Sequence, residues 1–199
     1  MGLAFLLAWG VEQGTLKQKR VPGWLWIPPA CIWLAFLPNT CYLVTEWRHF
    51  LFDNHYTMLR DAAETNRVLM LSVAKQGLFF LFYSGIGVLC YALSIRPLDR
   101  LLQKAGFRSW PWAVPFFFLT SLGVYLGLIV RLNSWDIATR PLYVLQVAVQ
   151  AVLNPLLLKT IIGFAFLLWL LYLLVDIWID GLLLRGERCL SGLKYANRK

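Results

Sequence analysis

The chain has 199 residues, of which 59% are hydrophobic and only 15% charged, with a mean hydropathy of +0.62. That apolar share exceeds the roughly 45–50% of soluble domains and excludes a water-soluble globule. The net charge of +9 would suggest nucleic acid in a soluble protein, but the basic residues gather in short stretches beside apolar blocks, with no aromatic-interleaved basic stripe to follow phosphates. The partner expected is the lipid bilayer, with no nucleic acid.

The fold class expected is all-α, a polytopic transmembrane helical bundle in a single domain over residues 1–199. A hydrocarbon core of about 30 Å needs roughly 20 residues of helix. The first apolar block, Leu3 to Trp9, reaches about Leu16 only by carrying Glu12 and Gln13 into the bilayer, so it reads as a short or truncated span, not a signal peptide. Gly23 to Thr45 is the first of four firm spans, opened by the interfacial anchors Trp24 and Trp26. Val68 to Ile95, Trp112 to Val130 and Thr160 to Ile179 are the others. In Pro141 to Lys159 the polar residues Gln146, Gln150 and Asn154 recur every four positions, which predicts an amphipathic helix on or among the spans, with a full crossing as the alternative.

Charge asymmetry orients this bundle. The stretches before Trp24 and before Trp110 sum to +2 and +3 and the C-terminal tail to +4, whereas Glu46 to Arg67 sums to −1. The positive-inside rule places the first three in the cytoplasm and the last outside. A crossing by Pro141 to Lys159 would break that agreement. The expected location is the bacterial inner membrane or its equivalent, with the C-terminus cytoplasmic. Cys31, Cys41, Cys90 and Cys189 have no CxxC spacing and read as small buried hydrophobes.

A hydrogen-bonding or ionisable group inside a span is a functional candidate, because its burial costs several kcal/mol without a partner. In Leu37 to His49, the residues Asn39, Tyr42, Glu46 and His49 stand at offsets of zero, three, seven and ten, one face of a helix, with Pro38 expected to kink the span before them. Glu46 and His49 form a Glu-x-x-His pair, the spacing used in carboxylate-bridged metal sites of helical bundles. A dinuclear site needs more ligands than the two histidines here provide, so metal binding by Glu46 and His49 stands beside a hydrogen-bonded pair with no metal.

The second constellation is Arg131 to Asp136, RLNSWD, placed by the charge count in the same compartment. Arg131 can pair with Asp136 or with Glu46, and Asn133 and Ser134 can cap the following turn. Lys75 either snorkels outward or pairs with Glu46 or Asp61. Ser84, Gly85 and Gly87 read as close-packing residues, and Asp176 and Asp180, one turn apart, as partners of Arg185. No phosphate-binding loop, nucleophile elbow, zinc-protease helix or dinucleotide fingerprint occurs, so no cofactor is implied.

The stretches LPNTCYLVTEWRH and SLGVYLGLIVRLNSWD resemble the bacterial integral-membrane family known as domain of unknown function 1361. That family carries Leu-Pro-Asn-x-x-Tyr-x-x-Thr-Asp/Glu-x-x-His and Gly-x-Tyr-Leu-Gly-x-x-x-Arg-x-Asn-Ser-Trp-Asp. The first pattern falls on Leu37, Pro38, Asn39, Tyr42, Thr45, Glu46 and His49, the second on Gly123, Tyr125, Leu126, Gly127, Arg131, Asn133, Ser134, Trp135 and Asp136. Lys75 and Gln76 depart from the aromatic and amide expected there. The resemblance implies no established activity.

The residues therefore suggest a polar extracytoplasmic site. Glu46, His49, Arg131 and Asp136 are the candidates for chemistry, and Asn39, Tyr42, Asn133, Ser134 and Trp135 for binding a lipid-linked or amphiphilic molecule. If the site is catalytic, Glu46 or His49 is the general base and Arg131 stabilises developing negative charge. The alternatives are an accessory or assembly subunit, packed against a membrane-protein partner or a second copy, and an ion-coupled transporter titrating Glu46.

Overall fold

A computed structural model describes residues 27–45, 50–51, 54–104, 106 and 109–196. The described residues form helices and connecting turns, with no strand among them. In chain order the helices are α1 (Ile27–Phe36), α2 (Pro38–Thr45), α3 (Asn54–Ala63), α4 (Arg67–Lys104), α5 (Ser109–Leu128), α6 (Asp136–Thr139), α7 (Pro141–Leu153) and α8 (Pro155–Ala196). Three of these helices contain segments long and apolar enough to cross a membrane: Arg67–Lys104, Pro111–Leu128 and Pro155–Cys189. The apolar block from Leu3 to about Leu16 lies outside the described residues.

The block expected as one span to Thr45 is two short helices. Pro38 has no N–H to give to the carbonyl four residues back, so α1 ends and α2 begins with the proline at its first position. Thr40 closes the junction, its backbone N–H and its hydroxyl both donating to the Leu37 carbonyl at 3.1 and 2.7 Å.

Two helices outrun the apolar blocks that announce them. Arg96 to Lys104, expected in a loop, continues α4, and the basic tail continues α8 to Ala196. Glu46 to Arg67, also expected as a loop, contains α3. Here Arg60 donates to the carbonyls of Phe50 and Leu51 at 3.1 and 2.6 Å. The helix predicted over Pro141 to Lys159 is shorter than expected. It ends at Leu153, because Asn154 turns extended and its side chain accepts from the N–H groups of Leu156 and Leu157 at 3.0 and 3.3 Å, capping α8. Residues Pro155 to Lys159 thus belong to α8.

Side-chain contacts fix the directions. Tyr91 meets Phe117, and a short connection joins α4 to α5, so these run antiparallel. Ser121 of α5 donates to the Ile161 carbonyl of α8 at 2.7 Å, while Phe117 packs on Tyr172. Earlier residues on α5 thus face later ones on α8, and this pair too is antiparallel. The chain leaves α5 and enters α8 at the same end of the bundle, so residues 129–154 depart from and return to that end. Leu37, at the α1–α2 junction, and Cys41 of α2 join Tyr91, Phe117, Val124 and Leu168 in one buried core.

The core corrects several smaller expectations. Cys41 is fully buried and Cys90 half-buried, but Cys31 and Cys189 are exposed on the outside of the bundle. Ser84 and Gly87 are buried as packing residues, whereas Gly85 has open space where a side chain would stand.

Candidate functional site

The two motif stretches meet through three devices. The first is a close approach of backbones. A Cβ placed on Gly123 of α5 would lie 2.6 Å from Cγ of Pro38, so only glycine admits the proline ring at this helix crossing. The second is a hydrogen bond across ninety-nine positions, in which the Ser134 hydroxyl donates to the Ala35 carbonyl at 3.0 Å. Ala35 stands in the last turn of α1, whose carbonyls lose their helical donors at the Leu37 break. Ser134 supplies one, which matters most where no water competes.

The third device is the reversal after α5. Arg131 sits at φ 62°, in the left-handed region that costs an ordinary residue about 1–2 kcal/mol. With it the chain doubles back, and the Leu132 N–H reaches the Leu126 carbonyl at 3.0 Å. The next turn is tied at both ends, since Oδ2 of Asp136 accepts from the Asn133 N–H at 2.7 Å and the Asp136 N–H donates to the Asn133 carbonyl at 2.9 Å. This resembles the reciprocal bonding of a capping box. Trp33 stacks on Phe116 at 5.8 Å while Pro38 lies at Gly123, so α1 and α2 run alongside α5 in the same direction. Ser134, bonded to Ala35, has therefore returned toward the middle of the bundle.

Of the residues singled out from the sequence, Asn39, Arg131, Asn133 and Trp135 are exposed, while Ser134 and Asp136 are half-buried. Tyr42 lies on α2. Glu46 and His49 lie outside the described residues. Among the described residues no ion pair joins Arg131 to Asp136, whose carboxylate instead holds the Asn133 turn. Lys75 is exposed and makes no ion pair with Asp61. No group of three or more His, Cys, Asp or Glu side chains gathers among the described residues.

The opposite end holds a charge cluster that the sequence did not reveal as such. Arg96 of α4 bonds Asp176 of α8 at 2.8 Å and also reaches Asp180. Arg100 bonds the same two carboxylates at 3.1 and 2.5 Å. Beside them, Oδ2 of Asp99 accepts from the Tyr172 hydroxyl at 2.8 Å and from Gln103 at 3.0 Å. Asp176 and Asp180 thus pair with Arg96 and Arg100, and not with Arg185 as expected. The side chains of Arg96 and Asp176 are only 14% and 15% exposed, so each neutralises a charge that would be costly alone. The signal was present in the spacing: two arginines one turn apart on α4 match two aspartates one turn apart on α8.

The family model described as "Protein of unknown function (DUF1361)" matches residues 2–171. The chain belongs to that family. The DUF1361 match takes in both motif stretches, the Pro38–Gly123 crossing and the Ala35–Ser134 bond, together with Arg96, Asp99 and Arg100. It stops one residue before Tyr172, so Asp176 and Asp180 lie beyond it. Comparison with curated proteins and with solved structures finds no match.

Proposed function

We propose that this DUF1361 protein is a multi-pass membrane protein with a polar site at its extracytoplasmic face, where it binds or acts on a lipid-linked or amphiphilic small molecule. Asn39, Tyr42, Glu46, His49, Arg131, Asn133 and Asp136 form the site in this reading. The observation that carries it is the joint between the two motif stretches: Ser134 on Ala35 and Pro38 against Gly123. It brings the segment that leads to Glu46 and His49 onto the helix that leads to Arg131.

The same reading places the reversal at Arg131 outside and the Arg96–Asp176 cluster at the cytoplasmic end. An arginine in strained backbone fits a functional role better than a structural one, because strain of this kind persists at sites where it serves the mechanism. The test is thiol labelling of Asn39→Cys and Asn133→Cys in protein whose native cysteines are replaced by serine. A membrane-impermeant maleimide added from the extracytoplasmic side should modify both positions. Labelling confined to the cytoplasmic side, or of neither position, would refute the proposed site.

A further inference from the structure

We infer that the reversal between α5 and α7 binds the phosphate of an amphiphile, a lipid headgroup, through Arg131 and Arg140. This deepens the proposed polar site by naming the chemistry of its ligand, and it rests on that reading. The first observation concerns the backbone. Residues 129–135 are non-helical, they double back along α5, and Arg131, Asn133 and Trp135 among them are exposed. Irregular backbone at membrane depth does not face hydrocarbon; it is tolerated where protein buries it or where it lines water. Val130, Leu132 and Ser134 are half-buried, but Ile129, Arg131, Asn133 and Trp135 are exposed, so in a membrane the space beside these exposed positions would be wet.

The second observation concerns charge. Arg131 and Arg140 are both exposed, and neither forms an ion pair or a side-chain hydrogen bond among the described residues. The acid nearest in sequence, Asp136, lies between them, yet its Oδ2 is held by the Asn133 N–H. Two guanidiniums are thus presented in one short segment, and among the described residues neither contacts a carboxylate. Guanidinium donors match phosphate oxygens in a forked geometry, which makes a phosphoryl group the suited occupant.

The third observation explains why the phosphate comes with an apolar tail. Trp135 and Ile137 are 62% and 51% exposed, and Leu142 and Tyr143, just after Arg140, are 81% and 49% exposed. Aromatic and aliphatic side chains interleaved with arginines are the composition of the membrane–water interface, where ring and headgroup sit at the same level.

The experiment is equilibrium binding of dodecyl phosphate to the full chain in neutral maltoside micelles, with inorganic phosphate as competitor. Saturable binding by the wild type is expected, weakened about tenfold in Arg131→Asn and in Arg140→Gln, as befits loss of a charge-assisted contact. Asparagine tolerates left-handed backbone, so the first variant removes the charge and keeps the turn. Arg140 is exposed and away from the left-handed turn at Arg131, so the second folds independently of that strain. Arg185→Gln, on the far part of α8, should bind as the wild type does.

Failure of inorganic phosphate to compete assigns the site to a lipid headgroup. Full competition at similar affinity assigns it to free phosphate and removes the amphiphile. Absence of saturable binding, or equal binding by the wild type and both variants, overturns the inference. It is separable from the site itself: Asn133→Cys labelled from the extracytoplasmic side with no phosphate bound leaves the polar site and removes its phosphate, whereas an unlabelled Asn133→Cys removes both.

Discussion

At one end of the bundle Arg96 and Arg100 reach two carboxylates on α8, while at the other Arg131 reaches none among the described residues and holds a left-handed backbone. Both ends set arginines against apolar helices. At the first, each guanidinium is matched across the interface and the helices are locked by it. At the second, the Ser134 hydroxyl and the Asp136 carboxylate are taken up by backbone groups, and the guanidinium has no partner among the described residues. The difference separates a clasp, whose polar groups answer only to each other, from the proposed site, which would need capacity for a partner outside the chain.

The clasp should show the largest effect on stability. Asp176→Ala leaves Arg96 without its 2.8 Å partner and should cost on the order of 3 kcal/mol, read as a lowered thermal midpoint in detergent. Exchanging the charges, with Arg96→Asp and Asp176→Arg together, should recover part of that loss. If the single change leaves the midpoint unmoved, the cluster is not holding α4 to α8 and the contrast between the two ends disappears.

The crossing of α2 over α5 comes next. Gly123→Ala forces a carbon to 2.6 Å from the Pro38 ring and should cost about 1–3 kcal/mol. Pro38→Ala in the same chain frees the space, so the double variant should lose less than the two single losses added together. Strict additivity would show that the two residues do not meet. Ser134→Ala should cost about 1 kcal/mol, the net worth of one hydrogen bond, by the same thermal measurement. A neutral result would mean that the Ala35 carbonyl has another donor.

The smallest effect sharpens the comparison most. Arg131→Gly relieves the left-handed backbone and should raise stability by up to about 1 kcal/mol, while dodecyl phosphate binding falls. Stability and binding moving in opposite directions would mark the strain as retained for function. A loss of both would make Arg131 a structural residue like Arg96.

The apolar blocks made the all-helical class and three membrane-length helices legible, because span length follows directly from hydrocarbon thickness. The ends were not, since charged residues such as Arg96 to Lys104 read as loop when their partners on another helix are unknown. Pro38 announced a break through its missing donor. Gly123 did not announce the proline ring it accommodates, because spacing along one chain does not tell which helices face each other. Two of the motif residues turned out to be joints: Ser134 bonds α1, and Asp136 holds the Asn133 turn instead of pairing with Arg131.

The central claim is that the reversal at Arg131 receives a ligand and the Arg96–Asp176 clasp does not. It is tested most directly by native mass spectrometry of the protein purified in mild detergent, comparing wild type, Arg131→Asn and Asp176→Asn for a bound phosphate-bearing amphiphile. The wild type and Asp176→Asn should carry it and Arg131→Asn should not, although Asp176→Asn is the less stable protein. A wild type that carries none, or an amphiphile kept by Arg131→Asn, would contradict the account.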